Sequence, residues 1–140
     1  MNIIRIKKVN NDLMKKINQL FDDKEWDLDE GNKFLSNNDN AFFLAFEENQ
    51  PVGFLSAHRL QRFDNRKAEV LLYEIGVHQD FRKMGIGKAL VDECKKWARE
   101  VDAAEVWVLT EKDNPAAMAL YSSSGGEEES PGTLMYVFKL

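Results

Sequence analysis

Cysteine occurs once in the 140 residues, at Cys94, which excludes an internal disulfide and any multi-cysteine metal site and accords with a reducing compartment, the cytoplasm. Histidine is almost as scarce. His58 and His78 each lack another metal-type ligand nearby in sequence, so no metal is expected. Long apolar runs are missing too: no stretch of bilayer-spanning length is free of charge, and the opening MNIIRIKKVNND has no apolar core followed by a small-residue cleavage site. Neither a membrane span nor secretion is expected. Positive charge is in deficit, with 19 Lys and Arg against 24 Asp and Glu and a net charge of −5. Binding a phosphate polymer over a broad surface needs clustered cations, so nucleic acid is not an expected partner.

What is present suits one compact domain spanning residues 1–140: 44% hydrophobic residues to fill a core and 31% charged residues to solvate a surface. Residues 2–6 read as a strand. Leu13, Ile17 and Leu20 recur at helical spacing behind an Asn cap, and a second short helix is expected over residues 29–36. The runs AFFLAF and VGFLSAHRL, separated by Glu48-Asn49-Gln50-Pro51, predict an antiparallel hairpin. Residues 68–77 and 105–109 read as further strands. From Gly85 onward Ile86, Leu90, Val91, Cys94, Trp97, Ala98 and Val101 fall on one helical face, Pro115 opens a helix to about Ser123, and residues 133–140 read as a final strand. The expected class is α/β (α+β), a mixed sheet with helices on its faces.

The segment IGVHQDFRKMGIGKAL carries the chemistry, because a strand and a short polar turn lead through Arg82-Lys83-Met84-Gly85-Ile86-Gly87 into the strongest helix. The first turn of a helix offers unpartnered amides and a positive dipole end, so a pyrophosphate can accept several hydrogen bonds there. Gly85 and Gly87 would let it come close, and Arg82, Lys83 and Lys88 add charge. A Walker-type loop would need glycine in place of Arg82 and Ser or Thr in place of Ala89. A dinucleotide fingerprint would need glycine in place of Leu90. The plainer alternative is that the glycines only cap a helix beginning near the sheet.

This segment resembles the GNAT superfamily of N-acetyltransferases, whose acetyl-CoA signature Arg/Gln-x-x-Gly-x-Gly/Ala is matched by Arg82, Gly85 and Gly87. The preceding Tyr73-Glu74-Ile75-Gly76-Val77 strand and the later Asn-Pro-Ala-Ala-Met-Ala-Leu-Tyr helix match as well. Within the superfamily the chain is most similar to the aminoglycoside 3-N-acetyltransferases, through RFDNRKAEVLLYEIGV, FFLAFEENQPVGFLSAHRL and KDNPAAMALY, over residues 41–121. It departs from them at Glu74, where the family has an aspartate, and after Gly126.

The resemblance implies a GNAT-type mixed, largely antiparallel twisted sheet with helices on both faces, opening between residues 68–77 and 105–109 to admit acetyl-CoA. Ile75, Gly76 and Val77 would pair with the pantetheine amides. The amides of Lys83, Met84, Gly85, Ile86, Gly87 and Lys88, with Arg82, would cradle the pyrophosphate. Tyr121 would lie beside the coenzyme sulfur and give the leaving thiolate a proton, with Asn114 near the pantetheine arm; a buried tyrosine bonded to backbone is the competing reading. A homodimer is also implied.

Direct transfer needs an unprotonated amine, so a carboxylate acting directly or through water is the economical base. Glu69 and Glu74 are the candidates. Five residues apart, they fall on opposite faces of a regular strand, and a bulge between them would reverse that. Glu74 is favoured because it stands at the family's acidic position; Glu69 is kept as a substrate ligand or alternative base. Cys94 sits on the apolar face of its helix, which argues against a covalent route. Acidic residues cluster over 22–30, including Asp22, Asp23 and Asp27, where the superfamily places part of its acceptor site. A cationic small-molecule amine, an aminoglycoside, is therefore the expected acceptor. The rivals are a polyamine, a lysine side chain, a protein N-terminus, or a non-catalytic module that only binds acetyl-CoA.

Overall fold

The computed structural model describes residues 1–22 and 25–140. Its elements run β1 (Asn2–Arg5), α1 (Asn11–Leu20), α2 (Leu28–Leu35), β2 (Asn40–Glu47), β3 (Gln50–Leu60), β4 (Glu69–Val77), α3 (Ile86–Glu100), β5 (Val106–Trp107) and α4 (Pro115–Ser123), with a 3-10 turn at Gln79–Phe81 after β4. The strands form one sheet in sequence order, antiparallel from β1 to β4 and parallel between β4 and β5. This is the mixed, largely antiparallel sheet the sequence predicts.

Local signals set the element ends. Asn10, Asp27 and Asn114 cap α1, α2 and α4 by accepting from the amides of Leu13, Glu30 and Ala117. Glu48 and Asn49 both take positive φ, 47° and 68°, the geometry of a two-residue hairpin turn matched to strand twist. The turn is therefore tighter than the four residues expected, and Gln50 and Pro51 already belong to β3.

The two faces of the sheet are covered differently. Phe43, Leu55, Val70 and Leu72 face α3, whose buried side chains Ile86, Leu90, Val91, Cys94, Trp97 and Ala98 fall on one helical face. Leu44 and Phe54 point the other way, against Ile17 and Phe21. α4 is tied to α3 by the Lys95 ammonium, which donates to the Ser124 carbonyl at 2.8 Å.

The final strand expected over residues 133–140 does not form. Those residues are exposed, with Leu134 at 75% and Phe138 at 86%, and no ladder reaches them. The sheet stops at β5, which has only two residues, so the tail's apolar alternation has no edge to lie against. No helix is long and apolar enough to cross a membrane among the described residues.

Leu90 is fully buried between α3 and the sheet. Leu90→Ala is expected to lower unfolding free energy by about 2–5 kcal/mol in urea titration without changing the slope.

Candidate active site

β4 is paired with β3 along its length, but with β5 only at Val70↔Val106 and Leu71↔Trp107. Residues 72–77 therefore face a gap where β5 has ended, the opening expected between these strands. The closed end is clipped by side chains: the Trp107 indole donates to Glu69 at 3.1 Å, and Arg62 donates to the other Glu69 oxygen at 3.3 Å. Glu69 is thus committed to the strand junction and does not line the cleft described below.

The turn after β4 is held against the strand end. The His78 amide donates to the Val52 carbonyl at 2.9 Å, and Arg82 Nε donates to the Val77 carbonyl at 3.1 Å. Lys83 and Gly85 take positive φ, 61° and 82°, and Gly85 is the N-cap of α3. The Ala89 amide donates to the Gly85 carbonyl at 3.0 Å, so the amides of Ile86, Gly87 and Lys88 in the first turn have no intrahelical acceptor. These donors stand beside the exposed side chains of Arg82, Lys83, Met84 and Lys88. A ligand with amides at one end and linked phosphates at the other fits this sequence of open strand edge and positive helix end.

The glycines divide by cause. A Cβ at Gly85 would meet nothing within 4 Å, so its requirement is the left-handed backbone, and the space outside is open. A Cβ at Gly87 would lie 3.3 Å from Leu120, so the room it leaves is taken by α4. At Gly76 the Cβ would come within 2.5 Å of the Phe54 ring.

Opposite the gap, on the face of α1 and α2, lies a cleft of about 590 Å³. Its floor includes Phe54, Ser56 and His58 of β3, which alternate onto one face, and Glu74 of β4, paired with Ser56. The register of β4 slips here: Ala57 faces Leu72 and Ser56 faces Glu74, so Tyr73 is an extra residue. The bulge reverses the regular-strand expectation and puts Glu69 and Glu74 on the same face. Only Glu74 reaches the cleft.

Acidic residues from the segment 22–30 line the cleft as well: Glu25, Asp27 and Glu30. Asp22 is not among the lining residues, and Asp23 lies outside the described residues. Asp27 also caps α2. The apolar wall is aromatic: Trp26 packs edge-on to Phe54 and Phe42 at 4.8 and 5.8 Å, and the Asn18 amide fixes the Trp26 backbone through two hydrogen bonds. Phe42 and Phe54 thus pack the sheet, as expected, and also form the wall.

From sequence His58 is weighed only as a metal ligand and has no place in the cleft. Its place in the alternation after Phe54 and Ser56 would have put it on the same face. Nδ1 lies 2.8 Å from the Asn40 amide oxygen, and the ring meets Phe34 and Tyr73 edge-on. Burial lowers its pKa from the usual 6.5.

Tyr121, on α4, is half-buried against the α3 core, and burial pushes its phenol above the ordinary value, so it stays protonated at neutral pH. Asn114 uses its side-chain oxygen as the α4 cap. Cys94 is fully buried, and burial pushes its thiol up to about 12, which removes it as a nucleophile.

Comparison with known proteins gives a family and a shared fold. The family model described as "Acetyltransferase (GNAT) family" matches residues 7–125. N-acetyltransferase 8 of Homo sapiens is 33% identical over 92 residues, 66% of this chain and 40% of that protein. The chain thus spans less than half the length of this curated relative. The crystal structure of an aminoglycoside acetyltransferase from an uncultured soil metagenomic sample, in complex with sisomicin, superposes with a TM-score of 0.82 at 25% identity, over 99% of this chain and 95% of that one. The aminoglycoside N-acetyltransferase AAC(6′)-Iy, in complex with the bisubstrate analogue CoA-S-monomethyl-acetylneamine, shares the fold, with a TM-score of 0.80 at 22% identity over 99% of this chain and 98% of that one. The regiochemistry in that name is 6′, which gives no support to the 3-N subtype expected from sequence.

The contact at Gly76 is testable. Phe54 is 3% exposed and held by Phe21, Trp26 and Phe42, so it cannot swing aside. Gly76→Ala is expected to cost about 1–3 kcal/mol in chemical denaturation, with Gly76→Ala/Phe54→Leu recovering part of it.

Proposed function

Since the chain belongs to the acetyltransferase (GNAT) family, we propose that it moves the acetyl group of acetyl-CoA directly to an amine of a cationic small molecule, an aminoglycoside. The observation that carries the reading is the meeting of two openings on one strand. The gap beside residues 72–77 runs toward the N-terminus of α3, and the carboxylate-lined cleft approaches the same strand at Glu74 from one face. The donor supplies an activated thioester carbonyl. The edge of Ile75, Gly76 and Val77 would hold its amide-bearing arm, with Asn114 alongside. Arg82 and the amides of Lys83 to Lys88 would hold its phosphates.

Glu74 is assigned to meet the acceptor ammonium and draw off its proton, directly or through water. Tyr121, kept protonated by burial, is assigned to give a proton to the departing sulfur. Asp27, with Glu25 and Glu30 beside it, would hold further ammonium groups, which is why a multi-amine acceptor is favoured. Glu69 has its oxygens engaged by Arg62 and Trp107, so its part is to hold the strand junction. The aminoglycoside acetyltransferase structures of the same fold support the acceptor class. A homodimer belongs to the same reading, supported by the exposed apolar tail that a second copy would cover.

The test is turnover of acetyl-CoA against aminoglycosides, spermidine and peptides bearing free N-termini or lysines, with release of free thiol as readout. Aminoglycosides are expected to give the highest kcat/KM; activity on peptides alone would refute the acceptor. Glu74→Gln and Tyr121→Phe are each expected to lower kcat by roughly 10²-fold while coenzyme binding is kept. Unchanged turnover in both would remove the assigned roles.

A further inference from the structure

We propose that His58 is the second proton acceptor of the acceptor cleft, receiving through water at Nε2 the proton that Glu74 draws from the substrate ammonium. The inference rests on the transfer reading above and adds a residue to it.

The tautomer follows from a chain of hydrogen bonds. The Asn40 amide nitrogen donates to the Phe34 carbonyl at 3.0 Å, which turns the Asn40 oxygen toward His58. An amide oxygen only accepts, so the His58 nitrogen 2.8 Å away, Nδ1, carries the hydrogen. In the neutral ring Nε2 is then a bare lone pair. Nε2 has no hydrogen-bond partner among the described residues, and no side-chain nitrogen or oxygen among them is both buried and unpartnered. Nε2 therefore reaches solvent, and the solvent that His58 borders is the cleft.

Position and basicity suit a relay. His58 stands two residues, about 7 Å of strand, along β3 from Ser56, the pairing partner of Glu74, and both side chains border the same cleft, where water can join them. An imidazole can take up a proton and return it to water, the exchange a relay needs. Around the ring stand Phe34 of α2, Asn40 of β2 and Tyr73 of β4, and among the described residues the other titratable groups lining the cleft are Glu25, Asp27 and Glu30 on the α2 side and Tyr73 and Glu74 on β4. Burial is the cause of the ring's lowered pKa, so it is neutral and ready to accept at pH 7.

The step balances as follows. One ammonium proton passes from nitrogen to Glu74 and through water to His58 Nε2. The freed lone pair forms the C–N bond as the C–S bond breaks. The nitrogen loses a second proton as the sulfur gains one from Tyr121, whose phenol is restored by that proton. His58 then releases its proton to solvent, so one amide, one thiol and one free proton result.

Two measurements on the full chain test this. The first is the pH profile of kcat/KM for the aminoglycoside turned over best. Wild type is expected to show an acid limb with an inflection below 6.5, where the imidazole becomes protonated, and His58→Gln to lose that limb with a roughly 10- to 100-fold fall at pH 7. Imidazole added to His58→Ala is expected to restore part of the rate. The second measurement needs no turnover: long-range ¹H–¹⁵N correlation of the wild-type protein should show His58 neutral at pH 7 with its hydrogen on Nδ1. A hydrogen on Nε2, or a His58→Gln profile that keeps the acid limb, overturns the relay while leaving the transfer reading standing. Absence of turnover on every amine removes the transfer reading, and the relay with it.

Discussion

The structure depends on where β5 ends. Its two residues pair with Val70 and Leu71 and go no further, so the edge of β4 from residue 72 onward has no neighbouring strand. An unpaired edge is normally a liability, because its amides and carbonyls can recruit any extended chain. Here the unpaired stretch is short, with β3 on one side and the α3 turn at its end, and the clip of Trp107 and Arg62 on Glu69 keeps the paired end shut. A longer β5 would complete the ladder and close the gap. The incompleteness of the sheet is thus the geometric condition for the proposed donor site, and the glycine conformations of the following turn are arranged around it.

The second condition is the extra residue at Tyr73. In a regular strand Glu74 would follow Val70 and Leu72 onto the face packed by Leu90 and Trp97, leaving a carboxylate in an apolar core at a cost of several kcal/mol. The bulge turns Glu74 into the cleft beside Ser56 and leaves Ile75 to continue the core. One irregularity therefore removes a destabilising burial and supplies the cleft with its carboxylate. Gly76 follows from the same register: paired with Phe54, it leaves the space that ring occupies, so the wall of the cleft and the floor of the gap are built on one contact.

Much of this was legible in sequence because it is local. The spacing of Ile86, Leu90, Cys94 and Trp97 defines α3, the cap at Asn10 and the proline at Pro115 mark helix starts, and the polar Glu48-Asn49-Gln50-Pro51 marks the hairpin, though not the two-residue length of its turn. The acidic run was also visible, and three of its members line the cleft. What was hidden depends on partners distant in the chain. A one-residue bulge has no compositional signature, so the faces of Glu69 and Glu74 were undecidable from spacing. The tautomer of His58 depends on Asn40, which in turn depends on a carbonyl of α2. The tail reads as a strand because its residues alternate, but a strand exists only against an edge, and the described sheet offers none that the tail meets.

Net charge describes this molecule poorly, because its charges are sorted by location. The α3 turn gathers Arg82, Lys83 and Lys88 about a positive helix end, while Glu25, Asp27, Glu30 and Glu74 border the cleft. On the proposed reading a polyphosphate and a polycation are drawn to opposite sides of one strand, and each is repelled from the other's channel. A single strand is thin, with neighbours only about 5 Å away. On that reading the reactants meet at Glu74, the residue that borders the cleft and belongs to the unpaired stretch of β4, because the bulge has turned its carboxylate outward.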